Sequence, residues 1–270
     1  MNAPESRPVL SVRDLDVIMY ESGGAARVVR QLQFDLHAGE VLALVGESGC
    51  GKSKTAEAIM GLIPPSAGTV SARRIRLDGR DVNDLPESAM RRIRGKEISM
   101  VFQEPQTALD PVFSCGNQLA ALFRRHHAQS RKQAIRSSME ILGQVGFADT
   151  ARIMHSYPHE LSGGMQQRVI IAMAMACRPR VLIADEPTTA LDVTTQAQVL
   201  RRLIDLGRTY GTAILLITHD LGIVAQYCQR ALVMHEGCIV EDSGIERLFS
   251  NPSSPYTRAL LAATRGMDSP

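Results

Sequence analysis

The sequence predicts an α/β fold with a largely parallel sheet and an inserted helical stretch. Three observations predict it. Short apolar runs alternate with stretches of helical spacing. One of those runs ends in a glycine-rich turn that opens a helix. From Glu104 to Ala176 the chain turns rich in Ala, Met, Gln and Arg, with few β-branched runs, which reads as a helical insertion.

The elements follow in order. Val41 to Val45 is an apolar run ending at Gly46, a buried strand. Lys52 to Ile63 has helical length, and Pro64-Pro65 stops it. Val70 to Leu77 reads as a strand before the Asp78-Gly79 turn, and Ile98 to Phe102 as another. After the helical insertion, strands return at Val181–Asp185 and at Ala213 to Ile217. Thr194 to Tyr210 lies between them with Val199, Leu203 and Leu206 at helical spacing. Arg230 to His235 and Cys238 to Glu241 flank Glu236-Gly237 as a hairpin.

Composition bounds the function. The 270 residues are 44% hydrophobic and 21% charged, which excludes a disordered, collagenous or coiled-coil chain. A net charge of +2 gives no global reason to bind nucleic acid or anionic lipid. The longest apolar run, Val169 to Cys177, falls well short of the ~20 residues that cross a bilayer. The first residues lack a signal core, so a cytoplasmic chain is expected. Its five cysteines are scattered without CxxC spacing and read as reduced structural thiols.

The chemistry gathers in a few segments. Gly46-Glu47-Ser48-Gly49-Cys50-Gly51-Lys52-Ser53 fits G-x-x-x-x-G-K-[ST] after a strand and before a helix. Glycines let backbone N–H groups face phosphate oxygens, and the helix N-terminus adds positive potential. Lys52 can reach the β- and γ-phosphates, and Ser53 can ligate Mg²⁺. Asp185 ends an apolar strand, where such a carboxylate holds Mg²⁺, and Glu186 follows as a base for the attacking water. Ser162-Gly163-Gly164 opens a long helix. It is either a second anion-binding turn or an ordinary N-cap by Ser162.

Leu161-Ser-Gly-Gly-Met-Gln166-Gln-Arg168 resembles the signature motif of ABC-transporter ATPases. Other motifs of that family follow in order. Gln103 resembles the Q-loop glutamine, Ala190-Leu191-Asp192 the D-loop, and His219 in Ile217-Thr-His-Asp220 the switch histidine. The similarity runs from about Leu10 to Leu261. Val101 to Pro111, Glu186 to Val193 and Asn251-Pro-Ser-Ser-Pro-Tyr-Thr257 resemble importers of oligopeptides, dipeptides and nickel.

The resemblance implies a RecA-like P-loop core with an antiparallel edge, from residues 1–103 and 178–270, and a helical signature subdomain at 104–177. It implies ATP hydrolysis coupled to transport, with Glu186, His219 and Gln103 catalytic and Ser53, Gln103 and Asp185 on Mg²⁺. Ser162, Gly163, Gly164 and Gln166 would act on a neighbour's nucleotide, with Asp192 beside them. Adenine would stack on Tyr20, unless Met19 holds that place. The implied partners are a second ATPase subunit, identical or not, two membrane permeases and an extracytoplasmic binding protein, at the cytoplasmic face of the inner membrane. No cysteine cluster follows the Pro-Tyr-Thr segment, so no iron–sulfur cluster is expected, which raises the standing of the short nickel-type members. The alternative is a soluble ABC ATPase of DNA repair or translation.

Overall fold

Runs that are apolar without alternation become strands covered on both faces. The computed structural model describes residues 7–21, 23–103, 108–188 and 191–267. The chain divides into two compact units, Met1–Met90 with Ala213–Pro270, and Arg91–Thr212.

The first unit begins with two long antiparallel strands, β1 (Leu10–Glu21) and β2 (Gly24–Leu36), which the sequence reading did not assign. β3 (Val41–Val45) follows, buried at every residue. Then comes helix α1 (Lys52–Ile59), which ends before the two prolines rather than at Ile63. The single strand expected over Val70 to Leu77 is two, β4 (Gly68–Ser71) and β5 (Arg74–Leu77), both antiparallel to β1. A short β6 (Arg80–Asp81) pairs with β5, completing an antiparallel sheet. α2 (Glu87–Ile93) leads into the second unit.

That unit holds β7 (Ile98–Val101) and then helices α3 (Cys115–His127), α4 (Arg131–Gln144), α5 (Thr150–His155) and α6 (Gly163–Met175). Serines cap α3 and α4. Ser114 accepts from the Asn117 N–H, and Ser130 forms a reciprocal capping box with Gln133. β8 (Val181–Asp185) pairs parallel with β7, setting Val101 opposite Ala184, and α7 (Val193–Tyr210) closes the unit. Residues 104–107 of the Q-loop segment and 189–190 before the D-loop lie outside the described residues.

The chain returns to the first unit through β9 (Ala213–Ile217), α8 (Leu221–Tyr227), β10 (Arg230–His235), β11 (Cys238–Gly244), α9 (Ile245–Ser250) and α10 (Pro255–Met267). β3 is parallel to both of its neighbours, with Leu44 opposite Leu232 of β10 and Ile217 of β9. β11 runs antiparallel to β10, as the hairpin reading expects. Parallel strands bring their C-terminal ends to one edge, where α/β sheets bind ligands. The loop after β3 and His219 after β9 therefore leave the sheet at the same edge.

Among the described residues no helix is long and apolar enough to cross a membrane. The cysteines are free, four of them buried. Burial pushes the Cys228 thiol up to about 12 and those of Cys115 and Cys177 to about 11, so these are packing residues rather than reactive thiols.

β3 leads into the glycine-rich loop, so its packing is the first thing to test. Leu44 is fully buried. Leu44→Ala should cost about 2–5 kcal/mol, read as a lower urea midpoint with an unchanged slope.

Candidate functional site

The loop after β3 is shaped by close approaches that admit only glycine. Gly46 has φ 156°, and a Cβ there would lie 2.2 Å from the Met234 carbonyl oxygen of β10. At Gly51, φ is 110° and a Cβ would lie 2.4 Å from the Val28 carbonyl oxygen of β2. Gly51 is also the N-cap of α1, with no side chain to occupy the helix N-terminus. No acidic residue stands in the first turn, so the positive end of the helix is left to an anion.

Lys52 is buried at the base of this loop. Its ammonium donates to the carbonyl oxygens of Gly46 and Glu47, each at 2.8 Å. The side chain is thus curled under the loop it serves. Cys50 lies beside it, and burial raises its thiol despite the nearby cation. Ser53 is half-buried, while Glu47, Ser48 and Gly49 are exposed on the outer turn.

His219 is exposed just past buried Thr218, whose N–H donates to the Leu44 carbonyl at 3.3 Å. Asp220 caps α8, accepting from the N–H groups of Gly222 at 2.8 Å and Ile223 at 3.1 Å. The histidine is therefore held between a strand end and a capped helix. Tyr20, on β1, is 49% exposed and shares a hydroxyl hydrogen bond of 2.5 Å with Thr69. Met19 lies in register with Gly68, where a Cβ would meet its sulfur at 3.1 Å. Tyr20 is the more exposed of the two.

The second unit holds the carboxylates. Asp185 ends β8 with only 4% exposure. Glu186 follows with φ 44°, a left-handed backbone that costs a non-glycine residue about 1–2 kcal/mol. Such strain commonly marks residues held for function. Because β7 and β8 are parallel, Gln103 just past β7 meets Glu186 just past β8. The Gln103 amide N–H donates to the Glu186 carboxylate at 3.2 Å. Two residues that the sequence places 83 positions apart are brought into contact.

The signature turn lies in the same unit. Ser162 occupies the N-cap position of α6, yet its side chain makes no capping hydrogen bond, and Ser162 and Gly163 are exposed. Ser162 thus stands where an N-cap stands but lacks the side-chain bond by which one usually acts. At Gly164 a Cβ would fall 2.5 Å from the Thr195 methyl of α7. Asp192 caps that helix through the Thr195 N–H at 3.0 Å, and this bond holds its carboxyl below the usual value. Gln166 is spent inward. Its amide donates to the carbonyls of Pro158 at 2.8 Å and Leu161 at 3.3 Å, bracing the turn from behind. A groove of about 640 Å³ opens over Ser162, Gly163, Gly164, Arg168 and Asp192.

The side chains that the sequence reading names for Mg²⁺ are oxygen donors of the kind a hard divalent cation takes: the first unit offers the Ser53 hydroxyl, and the second the Gln103 amide oxygen and the Asp185 carboxylate. Among the described residues no three His, Cys, Asp or Glu side chains cluster. Magnesium in nucleotide sites characteristically takes few protein ligands and several phosphate and water oxygens.

One residue of this neighbourhood escaped the sequence reading. Tyr256 accepts a hydrogen bond from the Glu47 N–H at 3.3 Å. The Pro-Tyr-Thr segment was visible in the sequence, but nothing local told that its tyrosine reaches the phosphate loop.

In the first unit a glycine-shaped loop encloses a buried lysine; in the second, Glu186 is bonded to Gln103 and Ser162 stands at a helix start without a side-chain cap. The family model described as "ABC transporter" matches residues 29–189, and the chain belongs to this family, as one of its ATPases. It is 47% identical over 258 residues to the probable peptide ABC transporter ATP-binding protein y4tR of Sinorhizobium fredii, covering 96% of this chain and 77% of that one. It is 46% identical over 260 residues to the dipeptide transport ATP-binding protein DppD of Bacillus subtilis, covering 96% and 78%. Other relatives are longer, and the chain spans about half their length. Among solved structures, the dimeric post-hydrolysis state of the ATP-binding cassette MJ0796 bound to ADP and Pi matches with TM-score 0.75 and 25% identity, covering 87% of this chain and 98% of that one.

The Gln103–Glu186 contact generates a test. Glu186→Gln keeps the size of the side chain but cannot accept a proton. ATP affinity should stay within about twofold, while hydrolysis falls by about 10²–10⁴. Equilibrium titration beside phosphate release measures both.

Proposed function

We propose that this chain is the ATP-hydrolysing subunit of a bacterial ABC importer whose cargo is a peptide. The names of y4tR and DppD support peptidic cargo over nickel. They also speak against the soluble role in DNA repair or translation.

ATP binds at the phosphate loop, with Lys52 leaving its carbonyl partners for the β- and γ-phosphates. Adenine stacks on Tyr20. Ser53, Gln103 and Asp185 would hold Mg²⁺, which neutralises phosphate charge. Glu186 takes a proton from the attacking water, and Gln103 orients its carboxylate. His219 donates a hydrogen bond to the γ-phosphate. Residues 1–103 and 178–270 serve as the nucleotide-binding core, and the helices of 104–177 as the signature subdomain.

The observation that carries the dimeric part of the reading is Ser162. Its hydroxyl makes no capping bond, and its turn is exposed, in a chain that has its own phosphate loop. The Ser162-Gly163-Gly164 turn then closes on a neighbour's γ-phosphate, with Asp192 beside it and Gln166 stiffening it. The neighbour is a second ATPase subunit, identical or related. Closing requires ATP because only ATP gives the closed pair contacts that the open pair lacks. Phe102, Val112 and Phe113 are exposed apolar residues around the Q-loop segment, suited to a permease surface. Two permeases and an extracytoplasmic binding protein complete the assembly, which places this chain at the cytoplasmic face of the inner membrane.

Ser162→Arg tests the role in trans. Nucleotide affinity of the isolated chain should stay within about twofold, while ATPase activity of the assembled complex falls by at least about tenfold. Lost affinity in the isolated chain, or full activity in the complex, contradicts the reading. Lys52→Ala is the complementary variant. It should remove measurable MgATP binding to the isolated chain, read by calorimetry.

A further inference from the structure

We propose that the C-terminal Pro255-Tyr256-Thr257 segment is a latch on the phosphate loop, and that Tyr256 is a positioning residue for nucleotide binding.

The path can be followed atom by atom. The Tyr256 hydroxyl accepts from the Glu47 N–H at 3.3 Å. The carbonyl of the same residue accepts from the Lys52 ammonium at 2.8 Å. Glu47 is therefore gripped on both sides of one residue, by the tail and by the phosphate-binding lysine. The Tyr256 ring is itself fixed, stacked on His235 with centroids 3.9 Å apart and planes inclined by 23°. His235 ends β10, next to Met234, whose carbonyl faces Gly46. In the following turn, the Gly237 N–H donates to the Cys50 carbonyl at 3.1 Å. The β10–β11 hairpin and the tail thus hold the loop together.

The segment that delivers Tyr256 is anchored just as specifically. Glu241 of β11 is 5% exposed. Its two carboxylate oxygens accept from the N–H groups of Ser253 at 2.9 Å and Ser254 at 3.0 Å, immediately before α10. Burial alone would raise this carboxyl, but the two N–H donors outweigh it and hold it below its ordinary value. A depressed carboxyl stabilises the fold above its unfolded value and loses that contribution as pH falls through the folded one. The anchor is therefore intact at neutral pH. At Tyr256, burial keeps the phenol above its usual value, so it remains a neutral hydroxyl.

The physical consequence is preorganisation. The outer turn of the loop is exposed and glycine-rich, so it has conformational freedom to lose when phosphate binds. A latch that fixes Glu47 beforehand removes part of that cost from binding. It touches neither the attacking water nor the leaving phosphate, so it acts on affinity rather than on the chemical step.

Tyr256→Phe keeps the ring on His235 and removes only the hydroxyl. In the full chain, Kd for MgATP should rise about three- to tenfold, the weight of one net hydrogen bond. In the assembled complex, KM for ATP should rise by the same factor with kcat within about twofold. The melting temperature without nucleotide should fall by no more than about 4 °C, the cost of that one hydrogen bond. Glu241→Ala, which releases Ser253 and Ser254, should raise KM in the same direction. Adding Tyr256→Phe to it should raise KM little further, because both act through one path. An unchanged Kd in Tyr256→Phe, a fall in kcat at constant KM, or fully multiplicative effects in the double variant would each overturn the latch.

Discussion

The shape of the loop after β3 depends on one close approach, the Met234 carbonyl of β10 against the backbone of Gly46. No side chain fits there, since a Cβ would stand 2.2 Å from that oxygen. The contact exists because β3 and β10 are parallel neighbours, both buried, so the sheet brings their ends together. Val45 is the last residue in that register, opposite Val233, and the turn must begin at the next position. From it follow the turn of the loop, the burial of Lys52 beneath it and the open N-terminus of α1. The loop is thus fixed by its floor, while its outer turn, Glu47 to Gly49, is exposed.

The second unit uses the same geometry for a different end. Parallel β7 and β8 stop at the same level, so the residues after them face each other. Gln103 and Glu186 become a hydrogen-bonded pair for this reason alone. The strained backbone of Glu186 fits a residue whose carboxylate direction matters more than its comfort. In the same unit, Gly164 lets the Thr195 methyl approach, which brings the Ser162 turn against the helix capped by Asp192. Gln166 braces the turn, while Ser162 is exposed and makes no side-chain cap bond.

Much of this was legible in the sequence where chemistry sits at the end of an apolar run. Val41–Val45, Val181–Asp185 and Ala213–Ile217 are strands with the bounds that their hydrophobicity gives. The long pair β1 and β2 was not legible, for a physical reason. Asp14 and Gln31 have φ of 50° and 46°, and the register slips between Val12 and Leu15 and again before Val17 and Ile18. Bulges of this kind break the alternation by which a strand is read. The break at Ala72–Arg73 likewise divides one expected strand into two. Tyr256 was hidden for another reason. Its partner is 209 residues away, and no local pattern announces a contact of that range.

The most direct test of the account is the MgATP affinity of Gly46→Ala in the full chain, measured by calorimetry at a temperature where circular dichroism shows it folded. The added methyl group cannot share the space with the Met234 carbonyl, so the loop must leave its place. The account predicts that binding weakens by at least about a hundredfold, the order of two lost charge-assisted hydrogen bonds to phosphate. Wild-type affinity in the folded variant would contradict it, because the shape of the phosphate loop would then not rest on that contact.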